Sequence, residues 1–352
     1  MKLKLDKKDL NPFLQGLMDD DDLYAPVQLT VGVAVFKKIE EPGEVDLAQL
    51  VPQKPAKDLF FPQSEVMFRY EKAGKGNQIT PMGGVQKETI LFGARPCDIE
   101  AISIIEKVFG GKEVADVYFL EKRKKTTIIG LGCNQPLSTC FCTSTGGSPF
   151  LRTGSDLFFI DLGEAYWVEL LTPKGMTFRE NKFLREPDSQ DFIHAKEVEK
   201  KGHEKITSSV PVEGIEKRLD LMVESPFWDR VHEKCLGCRI CTYLCPTCHC
   251  FDMVDEASNE KGCRVRNWDS CLSPLYSLET SGHNPRPTTR ERTRQRLMHK
   301  FNYYPKNFGQ VACVGCGRCI IHCPVHFDIR QAILQTASKR PKRLEGESYK
   351  KP

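Results

Sequence analysis

The stretch 235–246, CLGCRICTYLCP, and the stretch 313–324, CVGCGRCIIHCP, repeat one spacing, C-x2-C-x2-C-x3-C-P. The cysteines are Cys235, Cys238, Cys241 and Cys245, then Cys313, Cys316, Cys319 and Cys323, with Pro246 and Pro324 closing the runs. Three thiolates separated by two residues each can wrap one corner-rich inorganic cluster in a tight loop. The proline then stops the loop, so that the fourth thiolate points away. This is the spacing of cubane [4Fe-4S] ligation, in which the fourth cysteine usually ligates the neighbouring cluster. Two such runs predict two clusters with shared ligands.

Zinc is the competing reading, because C-x2-C is also half of many structural zinc sites. Zinc takes four ligands in two well-separated pairs, whereas each run supplies three consecutive thiolates plus a fourth, with the proline in the same place both times. That favours iron-sulfur for these eight residues and disfavours disulfides further.

The chain has 352 residues, enough for two domains of ordinary size. Its composition, 40% hydrophobic and 28% charged, is that of a globular protein. No stretch approaches the roughly eighteen apolar residues that span a bilayer, and MKLKLDKKDL at the start is too polar for a secretory signal. The expectation is a cytoplasmic protein. Sixteen cysteines in that compartment are better explained by metal than by disulfides. They fall in two places: four between Cys97 and Cys142, then twelve between Cys235 and Cys323. A net charge of +4 does not suggest a nucleic-acid partner, although basic clusters stand at 286–300 and 339–351.

Before the runs, 26–36 (PVQLTVGVAVF) reads as a strand. TILFGARPCDIEAISIIEKVF reads as a buried strand, a turn at Gly93 to Pro96, and a helix with apolar Ile99, Ile102, Ile105 and Phe109. Residues 126–133 (TTIIGLGC) read as another buried strand, and 156–172 as a hairpin. The strand-helix-strand order predicts an α/β or α+β N-terminal domain. Residues 174–210 turn charged and lose periodicity, as a linker would. Residues 214–234 carry Ile215, Leu219, Met222, Val223, Phe227 and Val231 at helical spacing and lead into the first run. A second helical stretch, 288–301, lies among the sixty-seven residues between Cys245 and Cys313. Helices before, between and after the runs predict an α-helical dicluster domain.

Cys97, Cys133, Cys140 and Cys142 form a third group, drawn from ARPCDIE and GLGCNQPLSTCFCTSTGGSP. Cys97 and Cys133 follow predicted buried strands, where α/β domains present functional groups. The four could hold another [4Fe-4S] cluster or a zinc ion, or some could be small core residues. Cys248, Cys250, Cys263 and Cys271 could hold a further metal with His249 as an alternative ligand, or pack around the clusters, and are assigned no site. The glycines of CTSTGGSP read as a turn rather than an anion nest, and His283 as a turn residue. Arg286, Arg290, Arg292, Arg294 and Arg296 read as a solvated helix face that could instead dock an acidic partner or raise cluster potentials. Neither G-x-G-x-x-G nor G-x4-G-K-[ST] occurs, so a nucleotide site is not expected in this chain.

Taken together, CLGCRICTYLCPTCHCFD, RVRNWDSC, GHNPR, RQRLMHKF and CVGCGRCIIHCPV resemble the iron-sulfur beta subunits of cytoplasmic NiFe hydrogenases (sulfhydrogenases) and the A subunit of anaerobic sulfite reductase. LFFPQSEVMFRY, GARPCDIEAI and GLGCNQPLSTCFCTSTGGSP extend the likeness over most of 55–330. The resemblance implies a subunit that passes electrons between a flavoprotein handling NAD(P)H and a separate catalytic subunit. The catalytic subunit could be of hydrogenase, sulfite reductase or heterodisulfide-reductase type.

The expected fold class is α+β: a mixed α/β domain over 1–205, an α-helical ferredoxin-like domain over 206–335 with two [4Fe-4S] clusters, and a basic tail over 336–352. By the crossed rule, Cys235, Cys238, Cys241 and Cys323 hold one cluster, and Cys313, Cys316, Cys319 and Cys245 the other. The expected role is electron transfer without catalytic residues of its own. The rivals are a reductase acting on a sulfur compound through the N-terminal cysteines, and a zinc-stabilised interaction module.

Overall fold

The computed structural model describes residues 1–48, 51–73, 76–82, 87–111 and 113–338. Most of the expected basic tail lies outside them.

Among the described residues nine strands precede the first cysteine run: β1 (Lys2–Asp6), β2 (Asp22–Thr30), β3 (Val33–Lys38), β4 (Ser64–Ala73), β5 (Gly76–Pro81), β6 (Thr89–Ala94), β7 (Thr126–Leu131), β8 (Leu157–Asp161) and β9 (Ala165–Leu170). Seven of them form one sheet in the order β1-β9-β8-β7-β6-β2-β3. Its centre, β8-β7-β6-β2, is parallel and its edges are antiparallel. β6 is buried along its whole length and β7 nearly so, as an apolar run without alternation predicts for a strand covered on both faces. One cover is the helix Leu10–Asp20, through Phe13, Leu14 and Leu17. The other is the helix Pro96–Phe109, through Ile99, Ile102, Ile105 and Phe109.

The single strand expected over 26–36 is a hairpin, β2 and β3 turning at Val31 and Gly32. The expected linker contains a helix, Ser189–Glu204, started by a capping box between Asp188 and Asp191. It buries only Ala195 and Gly202, which is why no apolar stripe betrays it. A Cβ on Gly202 would stand 2.6 Å from the Phe150 ring and 3.2 Å from the Cys133 carbonyl, so only glycine allows this approach.

The helix expected over 214–234 is broken into Ile215–Asp220 and Phe227–His232, because Pro226 restricts Ser225 and lacks a donor. Its apolar residues still enter one core with Leu297, Met298, Phe301, Ile329 and Ile333. Between the runs lies a hairpin besides the expected helix: β10 (Phe251–Ser258) and β11 (Lys261–Trp268). These two strands complete a second sheet, β10-β11-β4-β5, whose strands come from both sides of residue 205. The molecule is thus a mixed α/β protein, with helices gathered around the cysteine runs.

Candidate metal centres

Thr288 caps the helix Thr289–Met298 in a box with Glu291, and the helix continues as a wider π-turn, His299–Tyr303. Residues of this helix and its π-turn line the cavities of both runs. Cys235, Cys238, Cys241 and Cys323 line one cavity with Cys319, Arg239, Arg296, Leu297 and Phe327. The Phe327 N–H donates to the Cys323 sulfur at 3.2 Å. A second cavity is lined by Cys245, Cys313, Cys316 and Cys319, together with Arg296, Lys300 and Arg318. The first cavity is lined by three cysteines of the first run with Cys319 and Cys323 of the second, and the second cavity by three cysteines of the second run with Cys245 of the first.

Cys97 and Cys133 stand just beyond the C-terminal ends of the adjacent parallel strands β6 and β7, as expected. They line a third cavity with Cys140, Cys142, Arg95, Ile206, Gly315 and Cys316. The loop carrying Cys140 and Cys142 rests on the second run: the Phe141 N–H donates to the Gly315 carbonyl at 2.8 Å. A Cβ on Gly315 would meet backbone atoms of Phe141 and Cys142 at 2.5 Å, and one on Gly317 would meet Thr139 Oγ1 at 2.3 Å. Phe141 inserts into the helical core, and the helix Pro96–Phe109, which carries Cys97 in its first turn, packs Ala101 and Ile104 against Tyr304, Val314 and Cys316. The three cavities therefore form a row. Cys319 and Arg296 border the first and second, and Gly315 and Cys316 border the second and third.

Burial pushes the Cys140 and Cys142 thiols up to about 12 and Cys313 up to about 11. Such thiols are poor nucleophiles at neutral pH, and their thiolates need compensating charge from a metal centre or a cation. Cys245 is held well below its ordinary value by hydrogen bonding with Cys248 and, against burial, by the charges of Lys300 and Arg296. Among the described residues no three His, Cys, Asp or Glu side chains converge as a single ion would require. Zinc with sulfur at about 2.3 Å needs such convergence. The thiols stand instead around cavity walls, an arrangement suited to a cluster of several atoms. Two buried guanidinium nitrogens bordering the second cavity, Arg296 Nε and Arg318 Nη1, have no hydrogen-bond partner in the protein. Both suit an anionic, sulfur-rich occupant.

Sequence reading singled out Arg296 as a charge that could raise cluster potentials but overlooked Lys300 and Arg318. Arg318 lies inside the second run, 1% exposed, pairs with Asp98 Oδ2 at 2.7 Å and donates to the Pro52 carbonyl. Lys300, 3% exposed, donates to the Cys245 sulfur at 3.2 Å, Thr247 Oγ1 at 2.9 Å and the Ala312 carbonyl at 3.0 Å. Arg318 falls between two ligand-spaced cysteines and Asp98 follows Cys97, the one signal that could have singled them out. The solvated arginine face is corrected: Arg292 and Arg296 are buried, Arg290 pairs with Asp229, and Arg294 pairs with Glu224. Charges on this helix satisfy carbonyls and carboxylates of its neighbours.

Of the unassigned cysteines, Cys248 and Cys250 lie beside Cys245 and Cys271 respectively. Cys263 stands apart on β11, opposite Arg69 and Glu256. His249 packs its ring against His299 and Phe109 and is held down to about 4 by burial. His283 lies exposed in a turn, and Cys142–Thr145 forms a short 3-10 turn, as expected of those segments.

The class these features define is borne out by comparison: the model of the 4Fe-4S dicluster domain matches residues 234–327. Sulfhydrogenase 2 subunit beta of Pyrococcus furiosus is 33% identical over 329 residues, 93% of this chain and 95% of the relative. The chain belongs to that family of iron-sulfur sulfhydrogenase beta subunits. No solved structure matches it.

Proposed function

We propose that the chain is the iron-sulfur wire of a hydrogenase-type complex, carrying a [4Fe-4S] cluster in each of its three cysteine-lined cavities. Cys235, Cys238, Cys241 and Cys323 would hold one, Cys245, Cys313, Cys316 and Cys319 the next, and Cys97, Cys133, Cys140 and Cys142 the third. The observation that carries this reading is the row of cavities with shared walls. Bound clusters of this kind exchange single electrons at potentials set by charge, hydrogen bonds and burial.

The residues around them do the rest. Leu297, Phe327 and Ile240 exclude water from the first cavity, Lys300 and Phe327 N–H donate to the sulfurs of Cys245 and Cys323, and Val51, Pro149 and Ile206 wall the third. Cys238 and Leu236 are exposed at one end of the row, and Pro136 and Leu137 are half-buried near the other. A flavoprotein handling NAD(P)H and a catalytic hydrogenase-type subunit would dock at these two ends, in the cytosol. The helical packing around the runs supports an α-helical ferredoxin-like unit over 206–335 joined to the α/β unit over 1–205, with β10 and β11 as an excursion onto the small sheet.

Iron and acid-labile sulfide counted in anaerobically prepared protein test the reading. Three cubanes per chain are expected. Two would remove the third site, and zinc without iron would sink the whole proposal. A substrate-reducing role for the third cysteine group would require the isolated chain to reduce a sulfur compound from an artificial donor.

A further inference from the structure

The second cavity differs from its neighbours in charge. Lys300, Arg296 and Arg318 all border it, all are buried, and among the described residues their carboxylate counterweight is Asp98, paired to Arg318. The first cavity shares Arg296 and adds Arg239, which is half-exposed and therefore screened. The third has Arg95, whose guanidinium donates to the Gly132 and Leu47 carbonyls, and its cysteines feel the carboxyls of Asp98 and Glu100 against Arg318, which is engaged with Asp98. Lys300 also sits in the π-turn His299–Tyr303, an irregularity that often marks a functional position.

Each one-electron reduction adds one negative charge to a cavity, with no bond broken and no proton required to move. In a poorly screened interior, nearby positive charge and a donor to a ligand sulfur favour the reduced form. We infer that Lys300, assisted by Arg296 and Arg318, makes the middle station the highest-potential site of the row. The first electron to enter the chain therefore settles there, and the outer stations fill afterwards. Lys300 is a positioning residue for charge, acting on the cluster through the Cys245 sulfur. This inference rests on the three-cluster reading above.

The test uses the full chain, prepared anaerobically, with iron and sulfide counted before titration with dithionite and redox mediators followed by electron paramagnetic resonance. In Lys300→Met, the first midpoint should move to lower potential by a tenfold change in its reduction equilibrium, about 59 mV for a one-electron couple. The later midpoints and the iron count should hold. Lys300→Gln, which keeps a donor but loses the charge, should shift in the same direction by less, and Lys300→Arg should restore the wild-type value. An unmoved first midpoint in the fully loaded Met and Gln variants overturns the inference and leaves the wire intact. In the wild-type chain the first signal to appear should be the one that Cys245→Ser alters, a readout independent of Lys300. A first signal altered by Cys323→Ser instead would place the well in the wrong cavity. Absence of iron from the wild-type protein would overturn the cluster reading itself.

Discussion

Cys319 and Cys323 are four residues apart, yet Cys319 borders both of the first two cavities while Cys323 lines only the one belonging to the other run. The proline after Cys323 ends the loop and turns this thiol away. Cys323→Ser should therefore remove the cluster held with Cys235, Cys238 and Cys241 and spare the other. The reverse pattern in the iron count and spectrum would undo the crossed assignment. The Asp98–Arg318 pair is a second test at this scale, since both side chains are almost fully enclosed. Replacing Asp98 by Asn leaves a buried guanidinium uncompensated, which typically costs about 3–5 kcal/mol. Denaturant melts under anaerobic conditions measure it, and a loss well under 1 kcal/mol would show that a cluster, not Asp98, balances Arg318.

At the scale of elements, the decisive junction is between the loop bearing Cys140 and Cys142 and the loop of the second run. Gly315 has φ +60 and its Cβ position is already filled by the Phe141–Cys142 backbone. Gly315→Ala should push the loops apart, emptying the third cavity of iron while the first keeps its complement, so a full iron count in this variant would argue against the junction. Phe141 anchors the same loop from the other side, within the core of Leu219, Trp228, Leu297 and Ile333. Phe141→Ala should cost about 3–5 kcal/mol as a large-to-small core change and should also release the third cluster. Stability lost with all iron retained would reduce Phe141 to packing alone. The helix over Ser189–Glu204 shows why some elements stay hidden in sequence: the only residues it buries fully are an alanine and a glycine, so its apolar periodicity is weak. The hairpin β10–β11 was missed for the opposite reason. β10 is exposed along nearly its whole length, and its place is fixed by pairing of β11 with the distant β4.

At the scale of the whole molecule, the seven-stranded sheet has its own cores on both faces, whereas the helices around the runs enclose three buried cations beside seven ligand-spaced thiols, with Cys238 at the surface. Removing iron should therefore act unevenly, because metal binding is part of the folding free energy where a site cannot exist without it. Chelation after oxidation should open the region beyond residue 206 to limited proteolysis while the sheet stays protected, and uniform resistance would show that the helical core stands without metal. Among the described residues no helix is long and apolar enough to cross a membrane. The kind of metal centre was legible in the sequence, because ligating a cubane demands thiolates at short fixed intervals along the chain, and that pattern is local. The central strands were legible too, since burial on both faces demands continuous apolar runs. Only tertiary structure decided that the third cysteine group abuts the second run, that the sites lie in a row, and that the middle one is ringed by Lys300, Arg296 and Arg318. Those relations join residues brought together by packing from distant elements, and charge acts through space and burial rather than along the chain.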